Sequence, residues 1–206
     1  MRKPCISSRP AKTSADPFDP FENRLARDIR NTLATAFVDA LKQGDKLRFQ
    51  NTAEQFLASN LDDVYVGYIQ NRVKRFDHVY DQIKANRITD AKLQALIIWN
   101  NGLFFEVHEH LERVWQKTAG DEYQALKGLI QAAGVYVHMK FNHRPAAERL
   151  ALKSSNRIQK HSDHLAFIAN LNVLLDKLKN PASQPPRLKS RLEISAPKTR
   201  KHQGLK

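Results

Sequence analysis

Residues Gly128–Val137 read GLIQAAGVYV, a stretch apolar on every side of a helix except at Gln131. A helix that is apolar all round is buried by its neighbours instead of lying on a surface. Gln131 and His138 are seven residues apart and share a face, with Gly134 between them and Gly128 beside them. Glycines at such positions let another helix approach closely. A buried helix of this kind belongs at the centre of a helical bundle.

Working outward, the periodicity is helical between the two ends of the chain, and no segment carries sustained strand-like alternation. The chain reads as all-α, a bundle of about seven to eight helices joined by short loops, with flexible basic termini. Residues 1–18 form a flexible lead-in, 19–88 an N-terminal helical region, 89–180 the main bundle, and 181–206 a basic disordered tail. The first helix runs over 20–43, with Phe21, Leu25, Ile29, Leu33 and Phe37 at intervals of four and Asp19 as N-cap. The second reaches Ser59. The third ends near Asn86 and turns Val66, Ile69, Val73, Phe76, Tyr80 and Ile83 inward. Thr89 and Asp90 open the fourth, Asn100-Asn101-Gly102 makes a corner, and the fifth spans 103–117. The sixth covers 122–141, Pro145 suits the first turn of the seventh, and an eighth covers 163–179.

Composition narrows the class. Apolar residues make up 41% of 206, enough for a globular core, and only seven glycines occur, which favours helix. Cys5 is the single cysteine, so no intrachain disulfide forms and a reducing compartment is expected. No apolar run approaches the ~20 residues of a membrane span, and no apolar run follows the basic start as in a signal peptide. A soluble cytoplasmic protein without membrane contact is the expectation. The net charge of +13 is uneven. Residues 1–14 carry four cations and no acid, and residues 181–206 carry seven cations and Glu193, leaving +3 for the middle.

The segment Trp99–Trp115, WNNGLFFEVHEHLERVW, carries the candidate chemistry. On a helical wheel Phe104, Phe105, Leu111, Glu112 and Trp115 all fall within about 60° of His108. This arc is expected to face inward, with Glu106, His110 and Arg113 outside and Glu109 at the border. A charge inside an apolar arc is costly unless paired, and the local partner of Glu112 is His108, one turn away. Gln131 and His138 are expected to meet the pair across the neighbouring helix, converging in the interior.

These residues carry a resemblance. His, three residues, Glu, two residues and Trp, preceded by an asparagine–glycine corner and followed by the GLIQAAG run, resembles the domain-of-unknown-function 309 family. The resemblance covers about residues 90–160. It implies a small all-helical bundle and a metal-dependent hydrolase of unnamed substrate.

Read from the residues themselves, His108 and Glu112 at i, i+4 present two ligands to one divalent metal, and His138 adds a third. Glu109 is then the nearest general base, Trp115, Phe104 and Phe105 wall the pocket with Gln131, and a metal-activated water hydrolyses the substrate. The string HEHLE departs from H-E-x-x-H, and no Glu-x-x-His occurs. The alternative is a buried polar network of the same residues that fixes helix register without chemistry. There is no phosphate-binding Gly-rich loop and no G-x-S-x-G elbow. Trp99 and Trp115 read as core residues. A second class is polyanion binding, in which the basic ends and a stripe of Arg149, Lys153, Arg157 and Lys160 contact a nucleic acid. A third is a non-catalytic helical module that binds a protein partner through its first three helices.

Overall fold

The computed structural model describes residues 18–181 and 184–191; the expected flexibility of 1–17 and 192–206 lies outside the described residues. Eight α-helices follow in order: α1 (Arg24–Gln43), α2 (Leu47–Leu57), α3 (Asp63–Ala85), α4 (Ala91–Asn100), α5 (Phe104–Trp115), α6 (Gly120–Lys140), α7 (Arg144–Lys160) and α8 (Leu171–Lys179), with a 3-10 turn at Ser162–Leu165. The all-α bundle holds, with no strand among the described residues.

Local chemistry sets the ends. The first helix begins later than the periodicity suggests: Asn23, not Asp19, is the N-cap, its side chain accepting from the Ala26 amide. Asp19 instead accepts from the Phe21 amide two residues on, a local turn that keeps Phe21 outside the helix. Gly44 closes α1 at φ 73°, the left-handed conformation glycine adopts without penalty. Asp90 caps α4 by accepting from the amides of Lys92 and Leu93. On α3 the buried line includes Tyr65, Arg72 and Val79, whereas Val66 and Val73 are only half-buried. The expected eighth helix is divided: the 3-10 turn ends at Leu165 and α8 starts at Leu171.

A single apolar core runs through all eight helices, from Ala26 to Leu188. Phe37 and Phe76 stack within it, with Phe49 edge-on to both. The most extensive helix contact is α6 on α7, followed by α5 on α6, and α1 joins the N-terminal helices to α5. A Cβ at Gly128 would lie 2.9 Å from Ile158 Cγ1, so the glycine admits α7. There Ser154 Oγ donates to the Gly128 carbonyl.

Two stretches expected to be loose are docked. Phe18 stacks on Tyr68. Residues 184–191, assigned from composition to a disordered tail, return to the bundle with Leu188 fully buried. Asn100 explains why. Its amide donates to the Leu188 carbonyl and its oxygen accepts from the Leu188 amide, each at 2.8 Å. Asn170 makes the same double contact with Arg187 and Lys189, and Trp99 Nε1 donates to the Pro186 carbonyl. These side chains satisfy the extended backbone as a neighbouring strand would.

Candidate functional site

Helix α5 is turned differently from its wheel. Its buried residues are Glu106, Val107, His110 and Leu111, whereas His108, Glu109, Glu112 and Trp115 are partly exposed. The wheel weighs only the helix's own residues. What makes Glu106 buriable is Arg72 on α3, whose Nη1 stands 3.6 Å from Glu106 Oε2. Arg72 Nε also donates to the Tyr68 hydroxyl. His110 can be buried because its Nε2 donates to the Ala91 carbonyl at 3.0 Å, and the burial pulls its pKa from 6.5 down to about 4, leaving a neutral ring. The interior polar network is therefore Tyr68–Arg72–Glu106, and the pair expected of His108 and Glu112 is partly exposed.

Three of the four residues expected to converge do line one space. His108, Gln131 and His138 border a cleft of about 290 Å³ between α1, α5 and α6, floored by Gly134 and Leu150. Gln131 Oε1 and His138 Nδ1 are buried and have no hydrogen-bond partner. His138 stacks on Phe21, with ring centroids 4.6 Å apart. Burial, with help from His143, Arg149 and Arg30, lowers its pKa and favours the neutral ring.

Glu112 joins His108 and Glu109 on the solvent side of α5. One ligand atom from each of the three lies within 4.8 Å of the others. His108 Nδ1 is 3.3 Å from Glu109 Oε1. His138 is not in this group, so the triad expected from spacing is replaced by His108, Glu109 and Glu112. The pocket walls change as well. Phe105 borders the cleft, but Trp115 stacks on Tyr123 and Phe104 packs edge-on to Trp99.

The cleft also holds Arg30, a residue absent from the sequence-based expectations. It lies in the cleft at 8% exposure, with its guanidinium 3.9 Å from the centre of the Phe105 ring. Nε and Nη2 donate to Asn31 Oδ1, and no carboxylate forms an ion pair with it among the described residues. Burial lowers its pKa, but a guanidinium stays charged at any ordinary pH. Its signal was available: Arg30 occupies the i, i+4 line between Ala26 and Ala34, both fully buried.

On α7, Arg149, Lys153 and Lys160 are exposed, while Arg157 is half-buried and donates to Gln124 Oε1. No helix of the described residues is long and apolar enough to cross a membrane.

Residues 93–150 match the family described as Domain of unknown function (DUF309). The matched segment takes in most of α4, all of α5 and α6 and the first turns of α7, and so every cleft residue except Phe21 and Arg30. The family resemblance holds over that segment. No curated protein and no solved structure matches the chain.

Proposed function

We propose that this chain is a metal-dependent hydrolase of a small acidic substrate, working in the cleft between α1, α5 and α6. The observation that carries the reading is the pairing of two unlike features around one opening. His108 borders the cleft and shares clustered ligand atoms with Glu109 and Glu112 beside it on α5, and Arg30, which also borders the cleft, is a buried cation held in no ion pair among the described residues.

The donor set fits a divalent ion. One imidazole and two carboxylates suit Zn²⁺, Mn²⁺ or Fe²⁺, and three protein ligands leave a position open. Ligand atoms around such an ion stand about 3–4 Å apart, so a separation of up to 4.8 Å needs only small side-chain rotations. A bound divalent ion supplies Lewis acidity and a water that ionises near neutral pH. Glu109, expected from sequence as a general base, is assigned here to the ligand set with His108 and Glu112. Arg30 binds an anionic group of the substrate and orients it. Phe21 and Phe105 flank that group and exclude water, which strengthens the charge interaction. Gln131 Oε1 accepts a hydrogen bond from the substrate. Neutral His138 holds or passes a proton at Nδ1.

The test uses full-length protein prepared without affinity metal. Elemental analysis should find or restore about one divalent ion per chain, and His108→Ala should lose it. Chelator-sensitive hydrolysis of small acidic esters, amides or phosphoesters should fall in Arg30→Gln through a raised KM. Failure to bind added zinc, manganese or iron would sink the reading.

The exposed Arg149, Lys153 and Lys160 support a second, non-catalytic reading, contact with a nucleic acid. Retention on DNA and RNA over a salt series tests it, since phosphate contacts make affinity fall with salt.

A further inference from the structure

A second and larger cavity, of about 800 Å³, opens on the other side of α5. It lies where the C-terminal ends of α1, α3 and α5 meet the start of α4. We infer that this cavity binds a small organic phosphate, with the phosphate against its basic rim and the organic body against its aliphatic wall.

The charge comes first. Lys42, Lys84, Arg87, Arg113 and Lys117 all border the cavity, and no acidic residue does. Arg113 is paired with Asp39 on α1, but no ion pair holds the other four among the described residues. Basic residues at helix C-termini also offset the helix dipole, so that explanation has to be weighed. Each helix end carries only about half a charge. Three C-terminal ends, one N-terminal end with its cap Asp90, and Asp39 together still leave about two positive charges around one opening. Lys84 is also positioned: a Cβ at Gly44 would fall 2.9 Å from its Nζ, so glycine makes room for the ammonium. Lysine and arginine clusters of this kind bind phosphate as point charges and as forked donors.

The rest of the lining defines the ligand's other end. Leu41, Ile83 and Val114 make an aliphatic wall, and the volume is that of a site for a ligand of nucleotide size. His110 also lines the cavity. Its Nε2 faces the Ala91 carbonyl and must carry the proton, so on a neutral ring Nδ1 is left as a bare acceptor. That Nδ1 is buried without a partner, on a side chain nine-tenths buried. An unpaired buried acceptor is costly, and a ligand hydroxyl or amine would satisfy it. The site thus asks for phosphate, an apolar or planar body, and an N–H or O–H donor. It shares no lining residue with the cleft of the proposed hydrolase.

Calorimetric titration of the full chain, in phosphate-free buffer with chelator at moderate salt, tests this without involving the metal site. The probes are pyrophosphate and adenosine diphosphate. Both should bind, the nucleotide at least about tenfold more tightly because it also uses the wall and His110. Lys84→Gln combined with Arg87→Gln should weaken both by about tenfold or more. These side chains are exposed, and an unchanged melting temperature will show that the variant folds. His110→Phe should weaken the nucleotide and spare pyrophosphate. Arg144→Gln, an exposed cation on α7 away from the cavity, should change neither. Absence of saturable binding up to millimolar nucleotide overturns the proposal. So does loss of binding in the α7 variant in place of the cavity variant, or pyrophosphate binding as tightly as the nucleotide.

Discussion

Arg72 Nη1 lies 3.6 Å from Glu106 Oε2, with the two side chains 5% and 1% exposed, and this ion pair ties α3 to α5 in the interior. The separation is an ion pair's, without hydrogen-bonding geometry, and neither atom has another partner. Removing one member strands the other. Glu106→Ala should destabilise by about 3–5 kcal/mol, and Arg72→Met with Glu106→Leu should recover most of that. Urea denaturation of the single and double variants measures both; a single variant within ~1 kcal/mol of the parent contradicts the pairing.

Stability should fall in mild acid through His110. Its pKa is 6.5 when unfolded and about 4 when folded. Between those values the unfolded state binds the proton and the folded state resists it, so stability declines as pH falls from 6.5 towards 4. At pH above 6.5 both states are neutral and the residue adds no pH dependence. The full loss is roughly 3 kcal/mol for this one group. Denaturation of the parent and of His110→Phe at several pH values isolates it: the variant's curve should be flatter by that amount.

The two glycines of α6 should respond oppositely to alanine. At Gly128 a Cβ would meet Ile158 Cγ1 at 2.9 Å and the Ile158 backbone nitrogen at 3.3 Å, so α7 itself must move. Overpacking costs about 1–3 kcal/mol, which outweighs the ~1 kcal/mol of helix propensity gained. At Gly134 the obstacle is Leu150 Cδ2, the end of a flexible side chain. Gly134→Ala should therefore be neutral or stabilising by up to ~1 kcal/mol. Thermal melts of the two variants decide, and equal losses would contradict the distinction.

Asn100→Ala should release residues 184–191 without unfolding the bundle. It removes both hydrogen bonds to Leu188, worth about 1–3 kcal/mol locally. Leu188→Ala should act in the same way, at about 2–5 kcal/mol. Hydrogen exchange is the measurement, because the amides of Leu188, Lys189 and Arg191 are bonded only while the segment is docked. Unchanged protection in Asn100→Ala would show that the side chain does not hold the segment.

Glu112 separates the candidate site from the core. An interior Glu112 paired with His108 would predict a loss of about 1–3 kcal/mol on Glu112→Ala. At its half-buried position on α5 the expected change is within about 0.5 kcal/mol, and the same holds for His108→Ala. Both variants should instead lose divalent-ion affinity. A large destabilisation without an effect on metal binding would return the cluster to a structural role.

Much was legible in local pattern. Helical periodicity, Asp90 as cap and the corner at Gly102 depend on neighbours a few residues away, so the helices followed from sequence. The buried α6 with its glycines was legible too, because a helix without a polar face has one destination. Gln131 and His138 were read together from their shared face, and they border one cleft with His108. What local pattern missed depended on partners distant in the chain. Glu106 is interior because Arg72, on another helix, neutralises it, and His110 because the Ala91 carbonyl accepts a hydrogen bond from its Nε2. The stretch 184–191 is ordered because Asn100 and Asn170 supply the hydrogen bonds its backbone cannot make within itself. Composition and periodicity weigh each residue by its own burial preference. Only the tertiary structure brings together groups that make a buried charge, a neutral histidine or an extended backbone affordable.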